Sequence, residues 1–304
     1  MPILTVRHVT RYRYSNPVSF GEHRILFRPL ESYDQHLIDS RLIITPRPVE
    51  LRFVHDVFGN CVGLARFETE ASTLTFDSFI KLDHTPAAPA LRPSDDGDAL
   101  PPSFPFVYDA EDMPDLLRSI ERQHPDPEQA VAGWARRFLG GASSATVLDV
   151  LAAMTRAIHS EFTYSARLQV GVQTPLETLS LGSGSCRDFA MLMMEAARAL
   201  GLAAQFVSGY IYSPGRGAAP RRVGGGHTHA WLRVYIPSCG WTEFDPTNGI
   251  VGNQDLIRVA VARDPRQAIP LSGTWAGEPE DYLGMDVSVN VEVEAEPDII
   301  KRVA

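Results

Sequence analysis

One run of this 304-residue chain cannot be left in water. From Phe189 through Met191, Leu192, Met193 and Met194 to Ala196, Ala197, Ala199 and Leu200, the residues are apolar almost all round at helical length. A helix of that kind has to be enclosed, so the fold must supply layers around it. Gly201 follows as its expected C-terminal cap. In front stands Gly182-Ser-Gly-Ser-Cys186-Arg-Asp188, which reads as a flexible, solvated loop leading into a cysteine at the helix start. Backbone N–H groups at that end favour negative charge, and so the thiolate of Cys186.

The chain before this point divides in two. Within residues 3–85, Val6–Tyr14 alternates in part and Leu74–Leu82 alternates again, Leu37–Ile44 and Leu51–Val57 are rich in β-branched and large apolar residues, and Val62–Phe67 follows a turn at Phe58-Gly59-Asn60 like the second arm of a hairpin. That pattern predicts an antiparallel sandwich or barrel. His8, His23, His36, His55 and His84 are scattered through it and read as surface or core histidines. A proline-rich, acidic stretch around Asp95-Asp-Gly-Asp98 then reads as an extended connector. Helical spacing follows. Met113–Gln123 is one helix, Pro127 opens a second, and Ser143 or Ser144 caps a third through Val147, Val150, Leu151, Met154 and Ile158. The expected organisation is a β-rich domain at 1–85, a connector at 86–109, an α+β catalytic domain at 110–296 and a tail at 297–304.

Beyond the buried helix, Ala204–Tyr212 reads as a strand. The Gly-rich stretch 214–226, carrying Arg216, Arg221 and Arg222, reads as a mobile surface loop; a flap offering cations to an acidic substrate is the alternative. His229–Ile236 alternates strictly, Pro237–Gly240 turns, and Trp241–Phe244 returns toward Asp245-Pro246. Cys239, in the turn, reads as a structural or exposed thiol. Val287, Val289, Val291 and Val293 mark a half-exposed final strand.

This hairpin completes a chemistry. Antiparallel pairing brings His229 and Asp245 to one end, nearly level, with a bulge or slight shear to align them. A carboxylate that holds one imidazole nitrogen leaves the other for a nucleophile, and Cys186 is the candidate. The Cys186 N–H, at a helix start, is placed to stabilise an oxyanion. Each residue alone has a plain structural reading; the three placements together point to acyl transfer.

These residues resemble the transglutaminase-like superfamily. The resemblance rests on Gly184-Ser-Cys186-Arg-Asp-Phe-Ala190, Ser208-Gly209-Tyr210, His229-Ala-Trp231 and Gly240-Trp-Thr-Glu-Phe-Asp245-Pro-Thr247-Asn248. It is strongest over 150–250. It extends into the N-terminal region through Tyr12-Arg-Tyr14, Leu26-Phe-Arg-Pro29 and Asp56-Val-Phe-Gly-Asn60, as in the bacterial cysteine protease branch with a β-rich N-terminal domain. It implies a papain/transglutaminase-like domain with a central helix on an antiparallel sheet. It further implies Cys186 as nucleophile, His229 as base and Asp245 as orienter. Many relatives carry Gln where this chain has Arg187, and Tyr164 is a candidate second oxyanion donor. Hydrolysis of a peptide, protein or small amide through a thioester is the expected reaction. Amine transfer is the alternative, and a binding protein with a vestigial triad is the alternative of another class.

Composition sets limits around this reading. A net charge of −9 argues against nucleic-acid and anionic-membrane partners. Three cysteines, Cys61, Cys186 and Cys239, imply no disulfide framework. With no signal-peptide pattern and no membrane-length apolar run, the cytoplasm is the expected location. No calcium-loop or nucleotide-binding pattern occurs, so no cofactor or metal is expected.

Overall fold

A computed structural model describes residues 2–86, 102–140, 145–166, 171–212, 222–237 and 239–294. Its longest element is strand β1 (Ile3–Ile25), whose side chains alternate between core and solvent. The first half pairs with β5 (Ala71–His84), the second with β4 (Cys61–Arg66). Outside these lie β2 (Gln35–Thr45) and β3 (Glu50–His55), giving the order β2-β5-β1-β4-β3. Register shifts between Arg13 and Val18, and between Phe20 and His23, bend β1 and curl this antiparallel sheet into a half-barrel.

The second layer system is α+β. Helices α1 (Met113–Ile120), α2 (Ala130–Arg136) and α3 (Val147–Glu161) come first. Short β6 (Thr163–Tyr164), α4 (Pro175–Leu181) and β7 (Ser183–Gly184) lead to α5 (Cys186–Ala199). Strands β8 (Ala204–Ile211), β9 (His229–Ile236), β10 (Gly240–Asp245), β11 (Ile250–Val251) and β12 (Leu256–Ala262) form an antiparallel sheet, ordered β11-β10-β9-β8-β12. Helix α5 lies on β8 and β9. Its Phe189, Leu192, Met193 and Met194 share one core with Leu232, Val234 and Ile236 of β9 and with Leu151, Met154 and Ile158 of α3. Gly201 closes α5, its N–H on the Arg198 carbonyl, while Leu202 N–H reaches back to Ala197. Two polar residues interrupt the apolar run: Glu195 and Arg198 are fully buried and paired at 2.8 Å. The Glu195 carboxylate also accepts the N–H groups of Gln123 and His124.

Several boundaries differ from the sequence expectation. Helix α1 ends at Ile120, because Gln123 and His124 turn to meet Glu195. Helix α2 begins at Ala130 rather than Pro127, since the Asp126 carboxylate takes the N–H groups of Val131 and Ala132. Thr146 caps α3 by accepting the Asp149 N–H at 3.1 Å; Ser143 and Ser144 lie outside the described residues. The end of the connector is held down: Tyr108 is buried, donates to the Tyr235 carbonyl at 2.8 Å and accepts the Ala203 N–H at 2.9 Å.

Strands β13 (Leu271–Ala276) and β14 (Tyr282–Val293), placed by sequence within 110–296, both pair with β1. They supply the hydrogen bonds that the second edge of β1 would otherwise lack. The two layer systems also share a core, in which Leu4, Val6, Ile80 and Leu82 pack on Tyr210, Tyr212, Ile257 and Val259. Around it, Arg258 bridges Asp34 and Glu243, all three buried. Two side-chain amides finish the outer edge of β12. Gln35 bonds both the N–H and the C=O of Arg258, and Asn60 does the same to Val261.

Candidate active site

Cys186 is the first residue of α5, and the turn before it is locked from below. Ser185 caps the helix, and the Asp188 carboxylate accepts the Ser185 N–H and hydroxyl, both at 2.8 Å. Its other oxygen accepts the Gln173 N–H at 2.7 Å. Only glycine fits at 184, where a Cβ would lie 2.8 Å from that of Asp188. Ser183 and Gly184 pair in parallel with Thr163 and Tyr164. The expectation of a solvated, flexible loop is therefore corrected: Gly184 and Ser185 are buried and fully engaged. Glycine and serine serve close packing here.

The hairpin brings His229 and Asp245 together without a bulge. Leu232 faces Phe244, so His229 and Asp245 sit diagonally on one face, a relation within reach of a long side chain. His229 Nε2 donates to Asp245 Oδ2 at 2.8 Å, and both side chains are fully buried. Asp245 accepts from three more groups: Asn248 Nδ2 at 2.8 Å on the same oxygen, and the N–H groups of Thr247 (2.9 Å) and Asn248 (3.4 Å) on the other. His159 of α3 fastens the turn by bonding the Thr247 carbonyl at 2.9 Å.

These contacts set the charges. Burial alone would push the His229 pKa down. The charge and hydrogen bond of Asp245, with the neighbouring Cys186 thiol, outweigh it and raise the pKa to about 10. Burial likewise works against ionised Asp245, but His229, Asn248 and the Thr247 N–H hold its pKa below the usual carboxylate range. His229 Nδ1 makes no hydrogen bond of ordinary geometry. With Nε2 occupied, it is the nitrogen left to exchange a proton with the thiol. Tyr164 packs against Phe189 beside this point. Burial, then the charge of Cys186, raises its pKa to about 12, so its hydroxyl remains a donor.

The structure thus brings Cys186, His229 and Asp245 to one place. Cys239 is half-buried in the turn that joins β9 to β10, at the opposite end of that hairpin from His229 and Asp245. Of the three loop arginines, Arg216 and Arg221 lie outside the described residues. Arg222 is bound to Asp255. Residues 222–226 are tied across the site: Val223 pairs with Asn248, and the Gly226 carbonyl accepts the Val289 N–H at 2.9 Å. Among the described residues no group of His, Cys, Asp or Glu could hold a metal ion, and no helix is long and apolar enough to cross a membrane.

Sequence reasoning did not assign roles to Asn248, Gly224, His159 or Gln173. Asn248 carried a local signal, since Asn just after Asp-Pro-Thr favours a side-chain-stabilised turn. His159 and Gln173 act through contacts distant in sequence.

Known proteins share both halves. Residues 132–246 match the family model described as Transglutaminase-like superfamily, and residues 4–82 match the Bacterial transglutaminase-like N-terminal region. An uncharacterized protein of Mycobacterium tuberculosis is 32% identical over 297 residues, spanning 94% of this chain and 91% of its own. One of Mycobacterium leprae is 26% identical over 302 residues, spanning 94% and 98%. A crystal structure from Cytophaga hutchinsonii, named a "putative cysteine protease", covers 97% of this chain and 92% of its own. Its TM-score is 0.68 at 19% identity, a likeness of fold.

Proposed function

Because the chain belongs to the transglutaminase-like superfamily, we propose that it is a thiol-dependent acyl-transfer enzyme that hydrolyses peptide or amide bonds through a thioester. The observation that carries this reading is the buried His229–Asp245 pair, with Nδ1 unengaged beside Cys186 at a helix start. In the first half-reaction the Cys186 thiolate attacks the carbonyl carbon. The resulting oxyanion is met by the Cys186 N–H, with the Tyr164 hydroxyl as second donor. His229 passes its Nδ1 proton to the leaving amine, the C–N bond breaks, and a thioester remains. In the second, His229 takes a proton from water, the hydroxide attacks the thioester, and the thiolate returns as the acid departs. Asp245 keeps the ring oriented and stabilises its charge throughout.

The test is turnover of a peptide library, with and without a primary amine, by the native chain and by Cys186→Ala and His229→Ala. Amide hydrolysis lost in both variants supports the proposal. Incorporation of the amine in excess of hydrolysis would replace water as the acceptor. Native-like turnover by Cys186→Ala would remove the thiol mechanism altogether.

A further inference from the structure

His229 is held on two sides, and one side chain joins the two supports. On the first side is Asp245. On the second is the backbone of Gly224, at φ +94°, so close that a Cβ there would lie 2.6 Å from Nδ1. Asn248 spans both. Its Nδ2 donates to Asp245 Oδ2 at 2.8 Å and to the Val223 carbonyl at 3.1 Å. Its Oδ1 accepts the Val223 N–H at 2.8 Å. The reciprocal pair to Val223 fixes the peptide that leads into Gly224, and therefore fixes what the imidazole meets opposite Asp245. The orientation of the amide is dictated, because an ionised Asp245 can only accept.

We infer that Asn248 is a positioning residue that locks the His229 ring in its productive orientation, by holding the Asp245 carboxylate and the strap 222–224 with a single amide. The inference rests on the triad reading above. Two further ties, Arg222 to Asp255 and Gly226 to Val289, place the strap ends but do not reach the ring. The titratable groups that act on His229 are Asp245 from β10 and Cys186 from α5, and Tyr164 from β6 interacts in turn with Cys186 and Asp245. None of these duplicates the Asn248 contact with the strap.

The chemistry of the amide is specific. Alanine at 248 removes the donor to Asp245 and both bonds to Val223. Aspartate keeps the shape but presents a second carboxylate to the first. Alanine at 224 leaves Asn248 intact but drives a methyl group against Nδ1 and strains the backbone. Supports of this kind around a reacting group are worth roughly 10–100-fold in activity.

The experiment measures kcat and KM on an amide substrate, together with the pH profile of iodoacetamide labelling of the Cys186 peptide by mass spectrometry. The proteins are the native chain, Asn248→Ala, Asn248→Asp, Gly224→Ala and His229→Ala, each checked for folding by circular dichroism. The expected result is a roughly 10–100-fold fall in kcat with KM little changed for the Asn248 and Gly224 variants. Their labelling profiles should shift in the same direction as that of His229→Ala, and Asn248→Asp should be at least as impaired as Asn248→Ala. If His229→Ala alters the labelling profile while both Asn248 variants keep the native one, the positioning role is overturned and the triad stands. If His229→Ala itself labels like the native chain, the triad reading fails and the inference falls with it. Gly224→Ala supplies the answer should the Asn248 variants not fold.

Discussion

Replacing Asp245 by asparagine tests the site most sharply, because the position has one chemistry and no slack. Its two oxygens accept from four donors: His229 Nε2, Asn248 Nδ2 and the N–H groups of Thr247 and Asn248. An amide has one oxygen. If that oxygen stays on the two backbone N–H groups, its NH2 faces the Asn248 amide donor, and Nε2 must become an acceptor. The ring proton then sits on Nδ1, pointing at Cys186, and the base is in the wrong tautomer. If the amide flips, two buried backbone donors lose their acceptor, at about 1–3 kcal/mol each. Either way the charge that held His229 protonated is gone, only Cys186 is left to oppose burial, and the pKa falls from about 10. Loss of a charged hydrogen bond, about 1.5–3 kcal/mol, alone corresponds to roughly 1–2 pH units. A wrong tautomer in a related triad costs about 10⁴ in kcat, so a fall of about 10³–10⁴ is expected here, with a lowered melting temperature. Steady-state rates on an amide substrate between about pH 5 and pH 11 are the assay, a window that brackets the ordinary imidazole pKa and the raised His229 value of about 10. The native alkaline limb should lie well above neutrality, since the imidazolium is lost only as pH rises through the raised pKa. An Asp245→Asn enzyme retaining activity to within about tenfold, with that limb unmoved, would refute the reasoning.

Other outcomes follow from the same physics. Tyr164→Phe should reduce kcat by about 10²-fold or more with KM little changed, as for a lost oxyanion donor; an unchanged kcat would remove it from the reaction. Asp34→Ala should cost about 3–5 kcal/mol in urea unfolding, because buried Arg258 would keep only Glu243 as a carboxylate partner. Burial holds the His8 pKa near 4, against 6.5 for a free imidazole. The unfolded chain therefore binds the extra proton first, and stability should fall by about 3 kcal/mol as pH drops from about 6.5 to about 4. His8→Gln should flatten that part of the stability–pH curve, and an unchanged slope would exclude His8 as its source.

What could be read in the sequence was what is local. Alternation marked β5 and β9, whose inward side chains face a core, while β2 stood out by its β-branched and large apolar residues and β4 by the turn before it. The apolar ring of Phe189–Leu200 marked α5 because nothing but burial satisfies it. Cys186, His229 and Asp245 stood out through their positions at element ends. Helix α4 carried a readable signal that went unused, the capping box Thr174-Pro-Leu-Glu177 behind an N-terminal proline. The pairing of β14 with β1 was not legible, since four alternating valines state that a strand exists and not which edge it completes. The stiffness of residues 182–185 was hidden for a similar reason: it depends on Asp188 and Gln173, and a glycine chosen for closeness looks like one chosen for freedom. The diagonal of His229 and Asp245 needs the register of β9 and β10, which the turn sequence alone left one or two residues loose.

The amides of Gln35 and Asn60 carry a practical consequence. Each occupies a backbone donor and acceptor on β12 that would otherwise form part of a bare strand edge. Both come from the N-terminal sheet, one from the start of β2 and one from the turn before β4. Cut the chain after residue 109 and the catalytic half would emerge with that edge open, a template for pairing with its own copies. The N-terminal half therefore covers part of an edge strand of the other half, and a chain trimmed to residues 110–304 is expected to aggregate before it shows activity.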